Sequence, residues 1–330
     1  MAYSEAILRR ARKRLEQARE SAEAEAEARL NKAYRECPRL REVDLALRRT
    51  VAQAVTAAFS AGGDPGEAIE AVHRENRELQ EERSWLLQTL ELEDADLEPQ
   101  PVCTRCGGTG YVGSEMCECL RELCRQEQKQ ELSSLLAGRE SFDAFRLEYY
   151  PEAPDPRLGV SCRRVMERVF ARCRDYARNF REGAPNLLFS GGTGLGKTFL
   201  SACIARTVAE NGFSVVYATA GKLFADFEAA KFQTSEETQA RTTKYLECDL
   251  LIIDDLGTEM TTQFTQSALY QVINTRLMEN RSVIISTNLA PGELEERYLP
   301  QIISRLNGEY ATLVFMGEDI RAIRKEQRYQ

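Results

Sequence analysis

Apolar positions fall into two patterns along this chain. Up to about Leu92 they recur every three to four residues between charged faces, the spacing of helices. Residues 4–35 are rich in Ala, Glu and Arg, all good helix formers. The apolar stripe there is thin (Ile7, Leu8, Leu15, Leu30, Tyr34), so this helix is expected to be solvated or to await a partner. Cys37-Pro38 interrupts it, because proline lacks a donor and clashes with the preceding turn. A second helix carries Leu40, Val43, Leu47, Val51, Val55 and Phe59, and Ala61–Gly66 reads as a turn. A third, from about Glu67 to Leu92, carries Ile69, Val72, Leu79, Leu86, Leu87 and Leu90, which predicts a helical hairpin or small bundle. Asp94–Pro101, acidic with two prolines, reads as a linker. A cysteine-rich segment at 103–119 and a charged helix to about Leu136 follow.

From about Phe142 short apolar runs alternate with helical segments. The runs are Asn186–Ser190, Ser214–Thr219, Leu250–Asp254, Ser282–Thr287 and Ala311–Phe315. Strands alternating with helices imply βαβ units and a parallel five-stranded sheet, an α/β class. A length of 330 residues suits two domains with a helical extension. The net charge of -8 argues against a basic coat for nucleic acid, though a local basic strip can survive within it. No run of about 18 apolar residues exists, so no membrane helix is expected. The charged N-terminus carries no apolar signal core, which places the chain in the cytoplasm as an expectation. In that reducing compartment the ten cysteines are expected to be metal ligands and buried thiols rather than disulfides.

Gly191-Gly192-Thr193-Gly194-Leu195-Gly196-Lys197-Thr198 fits G-x-x-x-x-G-K-[ST], between a strand and a helix carrying Phe199, Leu200, Cys203, Ile204 and Val208. Its glycines let backbone N–H groups curl around phosphates, and the helix N-terminus adds partial positive charge. Lys197 would reach the β- and γ-phosphates of ATP, and the Thr198 hydroxyl would ligate Mg2+. Leu250–Asp255 is a buried-strand run ending in two carboxylates, a Walker B pattern. Asp254 would hold Mg2+ through water and Asp255 would polarise the attacking water. Many such ATPases place the longer Glu at the second position, which points to slow hydrolysis here. In a sheet ordered like that of an AAA+ ATPase, Asn288, at the end of the next strand, lies between these sites and orients water. Arg305, at the end of a late helix, is placed like an arginine finger acting on a neighbouring subunit. Arg321 resembles the second sensor acting in cis, with Arg324 as its competitor.

Cys103-x-x-Cys106 and Cys117-x-Cys119 flank a glycine-rich hairpin, and four thiolates on two tight turns can enclose Zn2+ as a closed structural site. Cys124 is a spare ligand. Cys37, Cys162, Cys173, Cys203 and Cys248 are expected to be mostly buried, inert thiols. His73, the one histidine, is expected to be solvated.

The phosphate loop, Ile253–Gly257, Ser286–Asn288, Ser304–Leu306 and Asp319–Arg321 together resemble the DnaC/DnaI-type helicase loaders. These are AAA+ ATPases that share their core with the IstB transposition helpers. The likeness covers about 142–325. The cysteine module resembles that of the DnaI-like branch, and Ser141–Phe145 with Tyr149-Tyr150 resembles that family's lead-in to the ATPase core. The resemblance implies an ATP-dependent loader of a hexameric replicative helicase onto single-stranded DNA, with self-association through the AAA+ domains and no membrane partner. It implies a helicase-binding helical region at 1–95, a four-cysteine zinc module with its connecting helix at 96–140, and an AAA+ domain at 141–330. Lys222, Lys231, Arg241 and Lys244 are candidates for the DNA strip. Phe224, Phe227 and Phe232 nearby are better read as core than as stacking platforms. The alternatives are an IstB-like transposition helper acting on duplex DNA with a transposase, and a nucleotide-binding adaptor with little hydrolysis.

Overall fold

The computed structural model describes residues 3–59, 65–135, 140–154, 159–232 and 236–329. The chain divides into two compact units, Arg12–Leu120 and Met1–Ala11 with Arg121–Gln330.

In the first unit, helix α1 (Glu5–Glu36) gives way at Cys37 to α2 (Pro38–Phe59), with proline at the first helical position, where its missing N–H costs nothing. Helix α3 (Pro65–Thr89) packs along α2, and Ala33 of α1, Leu40 and Val43 of α2, and Leu86 and Leu87 of α3 form one core. Arg39 pairs with Glu82, and Arg83 with Asp44, across this seam. Most of the turn expected at Ala61–Gly66, and the side chains of Val51, Val55, Phe59, Ile69 and Val72, lie outside what is described. The expected linker contains a one-turn helix, α4 (Asp94–Leu97), whose Leu97 joins the bundle core. Arg29 fastens it by donating to the carbonyls of Asp96 (2.7 Å) and Glu98 (3.2 Å). The two prolines therefore shape a docked segment. The thin stripe of α1 is also covered in part, since Ile7 and Leu15 are buried rather than solvated. A hairpin of β1 (Tyr111–Val112) and β2 (Glu115–Met116) follows, and α5 (Glu118–Leu135) begins at the end of this unit.

The second unit holds the α/β core. Helix α6 (Cys162–Arg178) precedes β3 (Asn186–Ser190), α7 (Lys197–Glu210), β4 (Val215–Thr219), α8 (Ala220–Phe232), α9 (Glu236–Glu247) and β5 (Leu250–Leu256). Then come α10 (Gln263–Met278), β6 (Ser282–Thr287), α11 (Pro291–Arg297), α12 (Pro300–Glu309), β7 (Tyr310–Val314) and α13 (Ile320–Tyr329). The five strands are all parallel, in the order β4-β5-β6-β3-β7. Strand residues alternate between two cores. Leu187, Phe189, Leu250, Ile252 and Ile284 face one, and Leu188, Leu251, Ile253, Val283 and Ile285 the other. Both faces are covered, which is why these strands read as continuous apolar runs. The chain's first residues belong to this unit: the Tyr3 hydroxyl donates to Gly212 O (3.2 Å), and Arg10 pairs with Glu127 and Glu131. No helix among the described residues is long and apolar enough to cross a membrane.

Candidate nucleotide-binding site and metal centre

Strand β3 delivers the loop 191–196 to the carboxyl end of the sheet, beside the ends of β5 and β6. Gly196 takes a left-handed φ of 90° and caps α7, so the helix N-terminus opens at Lys197. Gly194 also has positive φ, 74°, and a Cβ there would lie 1.8 Å from Asp319 Oδ1. That closeness reflects a clip: Ile320 N donates to Gly194 O (3.1 Å), while Asp319 Oδ1 accepts from Arg321 N (2.8 Å). The Tyr150 hydroxyl donates to Leu195 O (2.9 Å) from the lead-in segment. The loop is thus held between the lead-in and α13.

Lys197 is buried and donates to Gly191 O, Gly192 O and Asn288 Oδ1, each at 2.6 Å. Burial lowers its pKa, opposed by the carboxylates of Asp255 and Asp254 and reinforced by Arg321. Asp254, buried on β5, accepts from the Tyr217 hydroxyl (2.7 Å), from Ser286 Oγ and from Thr198 Oγ1 (3.4 Å). Burial, and then Asp254 itself, push the Tyr217 phenol well above its usual range. Ser286 Oγ in turn accepts from Asp255 N (2.8 Å). Asp255 sits at a register irregularity of β5 with φ 61°, and its Oδ1 accepts from Asn288 Nδ2 (2.6 Å). One amide therefore joins the loop lysine to the second Walker carboxylate.

Apart from Tyr217, Gly191 and Gly192, these groups line a cleft of about 550 Å³, with Phe145 and Tyr149 on its wall. Thr193 to Thr198, Asp254, Asp255 and Asn288 all line it, while Gly191 and Gly192 enter through their bonds to Lys197. Arg321 and Arg324 both line it, and Arg321 is the one whose charge acts on Lys197. The hydroxyl of Thr198 beside the Asp254 carboxylate is a hard oxygen pair suited to Mg2+. Arg305 is not among the lining residues. It lies inside α12, which continues to Glu309 instead of ending there, with its guanidinium over the Tyr270 ring, 5.5 Å from the centroid. Sequence reasoning missed Tyr217, Ser286 and Asp319 as partners of the site. Ser286 and Asp319 entered the sequence reading only inside the Ser286–Asn288 and Asp319–Arg321 stretches, with no role, and nothing singled out Tyr217 in the middle of β4.

The expected DNA strip is partly committed elsewhere. Lys222 (2.7 Å) and Lys244 (3.3 Å) both pair with the buried Asp226, which also accepts from the Tyr245 hydroxyl (2.6 Å). The Lys231 ammonium lies over Phe264, 5.3 Å from the ring centroid. Phe224 and Phe227 are core, as expected; the Phe232 side chain and its immediate surroundings lie outside the described residues.

The four sulfurs of Cys103, Cys106, Cys117 and Cys119 lie within 4.8 Å of one another, with Cys103–Cys117 at 3.8 Å and Cys106–Cys119 at 3.4 Å. A tetrahedron with Zn–S arms of about 2.3 Å has edges of about 3.8 Å, so the set fits Zn2+. Burial raises the Cys106 thiol, but the N–H of Gly110 and the Cys119 thiol outweigh it and draw it down to about 6. Burial and then the same contact with Cys106 push the Cys119 thiol up, so the shared proton is drawn towards Cys119. Cys124 is buried and is not one of the four. Cys173, Cys203 and Cys248 are buried, and burial raises each thiol, as inert core cysteines require. Cys37 and Cys162 are only part-buried.

A phosphate-loop motif, paired carboxylates on β5 and an asparagine bonded to both the loop lysine and the second carboxylate, on a parallel sheet, are the features of an ATP-binding domain. Counted from the phosphate-loop strand, the order 5-1-4-3-2 is that of the AAA+ class. Residues 171–303 match the family model described as IstB-like ATP binding protein. They form an IstB/DnaC-family domain. The chain is 26% identical over 157 residues to a replicative helicase loader DnaC of Buchnera aphidicola subsp. Baizongia pistaciae, covering 47% of this chain and 64% of the relative. It is 28% identical over 121 residues to the uncharacterized protein YdaV of Escherichia coli K12, covering 37% of this chain and 48% of YdaV. The chain thus spans less than two thirds of the length of these relatives. The crystal structure of the DnaC helicase loader superposes with a TM-score of 0.45 at 21% identity, over 54% of this chain and 97% of that one.

Proposed function

We propose that this protein is an ATP-dependent loader of a hexameric replicative helicase onto single-stranded DNA, using slow hydrolysis as a switch. The observation that carries the reading is the Lys197–Asn288–Asp255 bridge, built on a domain whose named relatives include replicative helicase loaders. In this reading residues 1–95 bind the helicase, 96–140 form the zinc module, and 141–330 are the ATPase. Cys103, Cys106, Cys117 and Cys119 hold Zn2+, which supplies structural cross-linking. Thr198 and Asp254 hold Mg2+, which neutralises phosphate charge. Loop N–H groups and Lys197 bind the β- and γ-phosphates. Asn288 turns from Asp255 towards the γ-phosphate, and the Asp255 carboxylate then orients and accepts a proton from the attacking water. Arg321 or Arg324 contacts phosphate in cis. Arg305, away from its own cleft, serves a neighbouring copy in an assembly.

The test mixes the full-length protein with the hexameric replicative helicase of its host, with and without ATP, and measures complex mass and helicase loading on circular single-stranded DNA. A stable complex and ATP-dependent loading, lost in Lys197→Ala, is the expected result. No complex in any nucleotide state overturns the reading. The match to the IstB-like model keeps a second reading, a transposition helper, in view; its signature is filaments on duplex DNA and capture of a transposase. Negligible turnover unchanged by Arg305→Ala would favour a nucleotide-binding adaptor.

A further inference from the structure

A polar cleft of about 430 Å³ lies where α1 meets α2, lined by Asn31, Tyr34 and Arg35 from α1 and by Arg41, Asp44, Leu45 and Arg48 from α2. Arg41, Leu45 and Arg48 are spaced by four and three residues, so they share one helical face. Arg35, at the end of α1, faces the same cleft. All three arginines are exposed, and none has an acidic partner among the described residues.

Their neighbours behave differently. Arg39 is bonded to both Glu82 and Glu42, and Arg83 to both Asp44 and Asp94. The acid on the cleft wall, Asp44, is fully engaged by the Tyr34 hydroxyl and Arg83, each at 2.7 Å. The cleft's one acid is thus already matched, whereas Arg35, Arg41 and Arg48 are not, in a chain whose net charge is -8. Three unneutralised guanidinium groups around one concavity repel one another, and a carboxylate-bearing ligand relieves that repulsion through paired hydrogen bonds. Between them Leu45 is 46% exposed, an apolar contact point inside a basic ring.

We propose that this cleft docks an acidic segment of the helicase, with its carboxylates on Arg35, Arg41 and Arg48 and an apolar side chain on Leu45. The inference rests on the loader reading and locates its partner surface. Single-stranded DNA fits less well, because base stacking needs free aromatic faces. The cleft's one aromatic, Tyr34, is half-buried and tied through its hydroxyl. An apolar centre within a charged rim is the anatomy of a protein interface.

The test compares helicase binding by the full-length wild type, Arg35→Glu/Arg41→Glu/Arg48→Glu, Leu45→Ser, and a charge-matched control. The control reverses Arg164, Arg168 and Arg172, which are exposed on α6 in the other unit. Helix content by circular dichroism and the thermal unfolding midpoint check that each variant is folded, because the cleft and the ATP site lie in different units. The cleft reversal is expected to weaken helicase binding by about 30-fold or more and to flatten its salt dependence, with Leu45→Ser weaker by about 5-fold or more. The control is expected to stay within about 3-fold. If wild type binds the helicase and the cleft reversal binds equally well, or no worse than the control, the cleft inference fails while the loader reading stands. If the reversal abolishes binding of a labelled oligonucleotide but spares helicase binding, the cleft is a nucleic-acid surface and the inference is overturned. If wild type itself does not bind the helicase, the loader reading falls and takes this docking site with it.

Discussion

Replacing Gly194 by alanine tests whether the phosphate loop is clipped to α13. The glycine has φ 74°, a conformation that costs an L-residue about 1–2 kcal/mol. The new Cβ would also meet Asp319 Oδ1 at 1.8 Å and Cγ at 2.3 Å, so Asp319 must leave. Asp319 Oδ1 accepts from Arg321 N, and losing a helix cap of this kind costs about 1 kcal/mol. The sum, about 2–3 kcal/mol, equals about 30- to 150-fold in an equilibrium constant. It divides between ATP affinity and folding stability, depending on whether the loop gives up its shape or keeps it under strain. Calorimetric titration with ATP and urea unfolding, done on the same variant, recover both parts. Gly192 is the control. It too occupies an unspecified position of the motif, but its Cβ would meet only Leu195 Cδ1, at 3.8 Å, and its φ lies outside the strained region. Gly192→Ala should therefore stay within about 3-fold of wild type. Asp319→Ala should lose the cap portion alone. Equal behaviour of the Gly192 and Gly194 variants would refute the clip.

Tyr217→Phe removes one donor from the buried Asp254, an interaction worth about 1.5–3 kcal/mol for a charged acceptor, so stability should fall and the Mg2+ concentration for half-maximal turnover should rise. Unchanged Mg2+ dependence would remove Tyr217 from the site. Burial raises the Asp226 carboxyl, but bonds from Lys222 and Tyr245 and the charge of Lys244 outweigh it and leave its pKa below the usual value. The stability it contributes is present above the unfolded carboxyl pKa and is lost as pH falls through the lower folded one. Between these values the wild-type unfolding free energy should drop with acid more steeply than that of Asp226→Asn. Metal analysis of the purified protein should find a single zinc ion, absent in Cys106→Ser/Cys117→Ser; chelation should expose the thiols of that module and leave ATP binding intact. Asp255→Glu should not raise turnover, as measured by phosphate release; a several-fold increase would show that side-chain length limits the reaction.

The legible parts of the sequence were those where local chemistry and backbone geometry coincide. The phosphate loop needs glycine at its bends and a strand before it, and both can be read from 186–198. The paired acids at 254–255 follow an uninterrupted apolar run, which a central strand covered on both faces must have. Partnerships between distant residues could not be read. Tyr217 and Ser286 reach Asp254 from neighbouring strands, and nothing in either local pattern distinguishes them from ordinary strand residues. The acidic stretch at 94–101 looked like a linker because its two prolines and charges mask one decisive residue, Leu97. Lys222 and Lys244 looked like a free basic strip because the acid they share, Asp226, becomes buried only when α8 and α9 pack together. Sequence patterns show charge, whereas only packing shows which charges are already paired.

The same distinction resolves what Asp255 is suited to do. From sequence it is a shortened Glu, hence a weaker polariser of water. In the structure it follows Asp254 at a bulge, with φ 61°. Asp and Asn enter this left-handed region more readily than longer side chains, because their short polar groups can bond locally. The bend also lets Asp255 N reach Ser286 while its carboxylate reaches Asn288. A glutamate there would meet the same backbone demand with a longer arm, and would overshoot an amide that now sits 2.6 Å from both Asp255 Oδ1 and Lys197 Nζ. The short acid therefore matches the 2.6 Å bond by which Asn288 holds its carboxylate. In the proposed reading that carboxylate would be freed once Lys197 and Asn288 turn to phosphate, a coupling that would suit a nucleotide-controlled switch better than a fast motor.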